Sequence, residues 1–260
     1  MAYNNLLTNL EEGIYTISIN RPDALNALSV AVLTELLEAI RQAKDDDEVK
    51  LIIITGHGEK AFAAGADIAE MRDLKALEAR EYSLFGQGVY KEIENIDKPT
   101  IAAINGYALG GGCELIMACD IRIASEKAKL ALPEVGLGII PGWGGMHRLP
   151  RLIGKGQSKF YVFTGEMMTA AEAHNMGLVD KVVPADELIE YTKKIAKTIL
   201  SKAPISIKVA KAVIDKGMNM DPETGIDYLA EAFATIFSTE DYREGLTAFL
   251  EKRKADFKNK

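Results

Sequence analysis

Short apolar runs alternate with amphipathic helical stretches through the first half of this chain, and that alternation restricts the fold more than any other feature. Ile14 to Ile19 (IYTISI) is rich in β-formers, Val30 to Ala43 repeats apolar residues at Val32, Leu33, Leu36, Leu37 and Ile40, and Leu51 to Ile54 is wholly apolar. The order reads as strand, amphipathic helix, buried strand. A long helical stretch, roughly Ala69 to Ile96 and interrupted at Gly86/Gly88, leads to a strand from Thr100 to Ile104, a glycine cluster, a helix opening near Gly112 and a strand from Asp120 to Ala124. Helical crossovers join parallel strands, so an α/β body with a parallel sheet is expected. Past Pro141 the pattern changes. Apart from a short strand at Val179 to Val183 everything reads as helix, with three stretches in 204–254 separated by Gly217 to Pro222 and by Ser238-Thr239. No repeat or linker divides the chain, and the helical end reads as an appendage of the body rather than an independent domain.

A chain of 260 residues buries roughly three quarters of its open surface on folding, so neither disulfides nor structural metals are needed for stability. Cys113 and Cys119 form no CxxC pair and read as reduced, buried small residues. His57, His147 and His174 have no carboxylate or cysteine at ligand spacing, so no metal site is expected. A net charge of −7 argues against nucleic-acid binding and against docking on anionic lipid. The longest uncharged stretch, Pro99 to Cys113, is broken by glycines, so no membrane span is expected. The N-terminal MAYNNLLTNLEEG lacks a basic region and meets two acids before Arg21, which points to a cytoplasmic chain without a leader.

GxGxxG after a strand, GxxxxGK[ST], HExxH and GxSxG are all missing, which leaves glycines and carboxylates to carry any chemistry. In IAAINGYALGGGCELIMACD an apolar strand runs into Gly110-Gly111-Gly112 and a helix follows at once. Free N–H groups at that helix start suit a bound anion or an oxyanion that develops during reaction. Tight strand-to-helix packing would explain the same glycines, and dipole compensation would explain Glu114 in the first turn. The small-residue loop AFAAGADI offers another N–H around Gly65 and Ala66, with Asp67 as an N-cap. Glu134, in LPEVGLGIIPGWGG, is flanked by Leu132, Val135, Leu137, Ile139 and Ile140, an apolar setting that raises a carboxyl pKa if the group is buried. Two carboxylates among oxyanion donors suggest proton transfer beside a carbonyl.

These segments together carry a resemblance. NRPDALNAL (20–28), AFAAGADIAEM (61–71), KPTIAAINGYALGGGCELIMACDIRIAS (98–125), LPEVGLGIIPGWGG (132–145), TGEMMTAAEAHNMGLVDKVVP (164–184) and AFLEKRKADFK (248–258) resemble, in order and spacing, the crotonase superfamily, and within it short-chain enoyl-CoA hydratases of the bacterial crotonase type. The resemblance implies a crotonase-like spiral of ββα turns (1–200) followed by a C-terminal helical trimerisation region (201–260), assembled as a homohexamer of two trimers. It implies reversible syn addition of water to a short-chain 2-enoyl-CoA, with Glu114 and Glu134 exchanging protons and the N–H groups of Ala66 and Gly111 holding the thioester oxygen. Gly142 matches a residue whose N–H orients the second carboxylate. Ala66, Asp67, Ile68 and Ala69 match the CoA path, and Phe249 and Lys252 match positions that touch CoA from a neighbouring subunit. No cofactor or metal is implied beyond the CoA of the substrate. Leu132, where hydratases often carry an amide, and Trp143, Met146 and His147 depart from the pattern. A double-bond isomerase of the same superfamily generally lacks the Glu at 114, and RNA-binding relatives exist to which the basic C-terminal segment would correspond.

Overall fold

The computed structural model describes residues 3–260; Met1 and Ala2, where the leader reading begins, lie outside the described residues. Two compact units are present. One runs through Ile96 and resumes over Thr100–Lys193; the other comprises Asp97–Pro99 and Lys194–Lys260.

The first unit is built on two sheets. The strands in chain order are β1 (Leu6–Glu11), β2 (Ile14–Ile19), β3 (Leu51–Gly56), β4 (Ala61–Ala64), β5 (Thr100–Ile104), β6 (Tyr107–Leu109), β7 (Ile121–Ser125), β8 (Lys129–Ala131), β9 (Met168–Thr169) and β10 (Lys181–Val183). The larger sheet has the order β1-β2-β3-β5-β7-β10 and the smaller β4-β6-β8-β9. Among the described residues only β1/β2 and β8/β9 pair antiparallel. Helices α1 (Val30–Asp45), α2 (Ile68–Met71), α3 (Ala76–Asn95), α4 (Gly111–Met117) and α5 (Gly145–Thr164) join them. Successive strands go to different sheets: β3 then β4, β5 then β6, β7 then β8, each pair followed by helix. The two sheets therefore advance in step, and the chain rises as a spiral of ββα turns. β3 and β5 are buried along their whole length, which is why they read as continuous apolar runs rather than as alternation.

Local chemistry sets the elements. Ser29 caps α1 by accepting from the Val32 N–H at 3.2 Å, and the helix buries Val32, Leu33, Leu36, Ala39, Ile40 and Ala43 at helical spacing. Replacing Leu36 by Ala would cost about 2–5 kcal/mol. The single long helix expected over 69–96 is instead α2, a break, and α3, and α3 runs unbroken through Gly86 and Gly88. Gly86 is not an interruption: a Cβ there would come within 2.3 Å of the Trp143 indole, so the missing side chain is the space the indole fills. The AFAAGADI segment begins with strand β4 rather than being loop throughout, and β6, β8 and β9 are likewise strands of three residues or fewer that carry no readable period.

Further along the chain lie α6 (Ala170–Met176), α7 (Leu188–Leu200), α8 (Pro204–Gly217), α9 (Pro222–Ile236) and α10 (Glu240–Leu250). Asp221 and Thr239 cap α9 and α10 through the Thr224 and Tyr242 N–H groups, at the breaks read from the sequence. Neither α8 nor α9 has a buried residue, and Ile214, Ile226, Leu229 and Phe233 stand exposed on them. The basic C-terminal segment is not a continued helix. Past Leu250 it turns at Lys252, whose φ is +57°, Arg253 pairs with Glu244 at 2.6 Å, and the Lys258 and Asn259 N–H groups donate to Asp241 in the first turn of α10.

Candidate active site

Ala66 is placed by the residues of the NRPDALNAL segment. The Leu28 N–H donates to the Gly65 carbonyl at 2.8 Å and the Asp67 N–H to the Leu28 carbonyl at 3.1 Å, a parallel bridge that brackets Ala66 and leaves its own N–H out of the pairing. Asn26, 1% exposed, anchors the segment by donating from Nδ2 to the carbonyls of Ala61 (2.7 Å) and His57 (3.1 Å). Asp67 caps α2 through the Ala69 N–H and pairs with Arg21 at 3.2 Å. Ile68 and Ala69 lie exposed beyond it.

Gly111 opens α4, a seven-residue helix buried along its entire length. A helix this short contributes little macrodipole; what it offers is the N–H of its first residue, which no turn of the helix can satisfy. Ala66 and Gly111 are neighbours, since a Cβ on Gly111 would stand 3.5 Å from the Ala66 nitrogen. Among the described residues neither N–H has a protein partner. Gly110, at φ +48°, makes the turn that aims the Gly111 N–H.

The two carboxylates have different surroundings. Glu114 is 2% exposed, and its Oε1 accepts from the Gly145 N–H at 2.7 Å and the Trp143 N–H at 2.9 Å. Burial pushes its pKa above the ordinary carboxyl value, while those two N–H groups and the Arg148 guanidinium pull it back. Glu134 is 9% exposed and lies against Gly110, where an added Cβ would meet its Oε1 at 2.8 Å. Its Oε2 is buried with no protein partner. Burial, with the nearby Glu114 charge adding to it, raises the Glu134 pKa to about 7. The elevation was expected; of the five flanking apolar residues Leu132 is fully buried and Val135 half-buried, Leu137, Ile139 and Ile140 are exposed, and Gly110 also packs against the carboxyl.

Among the described residues no direct hydrogen bond joins the Gly142 N–H to Glu134. The Gly142 carbonyl accepts from Ser83 Oγ at 2.6 Å and Gln87 Nε2 at 2.9 Å, and the loop N–H groups that reach a carboxylate are those of Trp143 and Gly145, on Glu114. Trp143, read from the sequence only as a departure, is central. Its indole fills the spaces beside Gly86 and Gly111, where a Cβ would come within 2.3 and 2.5 Å, and packs edge-on to Tyr90. Tyr90 in turn donates to the Gly111 carbonyl at 2.7 Å. The glycine run around Trp143 was the available signal, but nothing in it tells which N–H groups converge. Leu132 is fully buried in the apolar core; Met146 and His147 are exposed. Phe249 and Lys252 are exposed residues of the second unit. Among the described residues no cluster of His, Cys, Asp and Glu has metal-binding geometry, and no helix is long and apolar enough to cross a membrane.

Two adjacent N–H groups without a protein partner, with two buried carboxyl groups beside them, are an arrangement suited to acid–base chemistry next to a developing oxyanion. Comparison with known proteins agrees. The chain matches the Enoyl-CoA hydratase/isomerase family over residues 9–260. It is 51% identical over 260 residues to the crotonyl-CoA hydratase of Syntrophomonas wolfei and 48% identical over 261 residues to the short-chain-enoyl-CoA hydratase of Clostridium acetobutylicum, with full coverage of each chain. The solved enoyl-CoA hydratase of Bacillus anthracis is similar at a TM-score of 0.95 and 41% identity, covering 99% of this chain and 100% of that one. The chain belongs to the enoyl-CoA hydratase/isomerase family, and its ββα spiral is the crotonase fold.

Proposed function

We propose that this protein is an enoyl-CoA hydratase that adds water reversibly, in syn fashion, to short-chain trans-2-enoyl-CoA thioesters, converting crotonyl-CoA to 3-hydroxybutyryl-CoA. The observation that carries the reading is the presence of both Glu114 and Glu134, buried and differently solvated, beside the Ala66 and Gly111 N–H pair. In this reading the thioester oxygen accepts from the two N–H groups, which stabilise the enolate charge that develops there. Glu114, with two donors on one oxygen, is the ionised partner. It takes a proton from water as the hydroxyl bonds to C3. Glu134, raised to about 7, is the protonated partner and delivers a proton to C2. Water is thereby added as OH and H, and the proton moved from Glu134 to Glu114 returns before the next cycle. The developing charge is carried by the thioester itself, so no cofactor beyond the CoA of the substrate is required.

Ala66, Asp67, Ile68 and Ala69 would line the CoA path, and Phe249 and Lys252 would touch CoA bound to a neighbouring subunit. The uncovered apolar residues of α8 and α9 support the companion proposal that 201–260 is an assembly region on a 1–200 core, in a homohexamer of two trimers. Cytoplasmic operation belongs to the same reading, in keeping with two buried free cysteines. The test is to mix the protein with crotonyl-CoA, follow loss of the conjugated-thioester absorbance and identify the product. 3-Hydroxybutyryl-CoA is expected. Double-bond migration in a longer enoyl-CoA without hydration would make it an isomerase, and salt-dependent RNA binding without turnover would overturn both.

A further inference from the structure

The 142–143 peptide is bonded at both ends. Its oxygen, on Gly142, accepts from Ser83 Oγ at 2.6 Å and from Gln87 Nε2 at 2.9 Å; its N–H, on Trp143, donates to Glu114 Oε1 at 2.9 Å. Gln87 Nε2 also lies 3.0 Å from Ser83 Oγ, so the amide donates into the hydroxyl that in turn donates to the carbonyl. Ser83, Gly86, Gln87 and Tyr90 fall on one face of α3, at the spacing of successive helical turns. On that face the indole of Trp143 occupies the space at Gly86, and Tyr90 donates to the Gly111 carbonyl. One helix face thus grips the peptide that holds Glu114 and the residue that supplies an oxyanion donor.

We infer that Ser83 and Gln87 are positioning residues that act on Glu114 through the Gly142–Trp143 peptide. Donation to a peptide oxygen polarises the unit and strengthens its N–H as a donor, so the effect passes along the chain of bonds to the carboxylate. It also fixes the peptide plane, so that the Trp143 N–H points at Oε1 when Glu114 passes between its charged and neutral forms. Other charged or titratable groups that act on Glu114 are Arg148 on α5, Glu134 in the turn after β8, Tyr90 on α3 and Cys113 on α4. Arg148 favours the ionised form and the Glu134 charge opposes it; neither is bonded to Ser83 or Gln87. Weakening the relay while those groups stay in place should therefore raise the Glu114 pKa alone.

The inference rests on the hydratase reading for its kinetic consequence but not for its direct one. In Ser83→Ala combined with Gln87→Leu, kcat with crotonyl-CoA should fall on the order of 10-fold with KM little changed, and the acid limb of the kcat/KM profile should move to higher pH by about half a unit. Ser83→Thr, which keeps the hydroxyl, should restore most of the loss made by Ser83→Ala. In a Glu114→Gln background the same changes should do nothing more to kcat, whereas a general loosening of the fold would still be felt. Direct titration of Glu114 by 13C-carboxyl NMR, in a Glu134→Gln protein that keeps the assignment simple, reads the same shift without turnover. A wild-type kcat and an unmoved Glu114 titration in the double variant overturn the relay even if the protein is a hydratase. An upward shift in the titration sustains it even if crotonyl-CoA proves not to be the substrate.

Discussion

Glu114 and Glu134 are the same residue type in one site, yet the walls around them are built on opposite plans. On the Glu114 side one carboxylate oxygen is answered twice: two N–H groups donate to it, with a polarised peptide behind them and an indole filling the gaps beside two glycines. On the Glu134 side the carboxyl rests on Gly110 with one oxygen buried and unanswered, in a turn where Leu137, Ile139 and Ile140 face outward. Donors favour the charged form and bare burial favours the neutral one. Burial raises both carboxyls, and only Glu114 has N–H donors that pull it back; this contrast is what the proposed division into base and acid rests on.

The strongest way to break the comparison is to remove each carboxylate. Glu114→Gln and Glu134→Gln should each lower kcat by roughly 10²–10⁴-fold with the fold intact, and the double variant should be little worse than either. Crotonyl-CoA turnover with circular dichroism and sizing checks this; a single variant that keeps more than about a tenth of wild-type kcat removes that residue from the proton transfers. A second pair probes the walls. Gly86→Ala should drive the indole from its slot and destabilise by about 1–3 kcal/mol, with kcat falling because the Trp143 N–H moves. Gly110→Ala should strain a positive φ at a cost of about 1–2 kcal/mol and push Glu134 aside. Melting curves set beside kcat distinguish these: a change in stability without a change in rate would show that the wall does not position the acid or base.

The raised pKa of Glu134 makes a prediction in stability as well. Its folded value, about 7, lies above the ordinary 4.5, so between those pH values the folded state holds the proton more tightly than the unfolded one. Stability is therefore lost as pH rises through that window. Glu134→Gln cannot ionise and should be more stable than wild type at pH 8, by about 1–2 kcal/mol, with no advantage at pH 4.5; equal gains at both pH values would mean that the carboxyl is not held neutral. In activity the same group should set an alkaline limb of kcat/KM near pH 7. The smallest expected effect lies away from both carboxylates. Asp67→Ala loses a cap and the Arg21 pair, worth about 1 kcal/mol in melting experiments, and should raise KM for CoA esters a few-fold while leaving kcat near wild type.

Much of this architecture is legible in the chain. The breaks at Gly217 to Pro222 and Ser238-Thr239 fall at helix starts, where Asp221 and Thr239 satisfy N–H groups locally, and the buried runs of β3 and β5 announce a central parallel sheet. The small sheet was not legible. β4, β6, β8 and β9 have two to four residues each, too few for a period to emerge. Gly86 misled for a related reason: a glycine inside a helical pattern looks like a break until its neighbour across the fold is known.

For the site, the sequence by itself determined the inventory: Glu114 and Glu134, the glycines around Gly111, and the small-residue loop at Ala66. Each is visible because its type or its local run is unusual. Tertiary structure decided how the inventory works. Trp143 and Gly145 lie 29 and 31 residues from Glu114, and they act through backbone N–H groups that every non-proline residue possesses. No side-chain pattern marks such a donor, and a pKa is set by the solvent and dipoles that folding brings around a group. Which glutamate keeps its proton is therefore settled only when the chain has closed on itself.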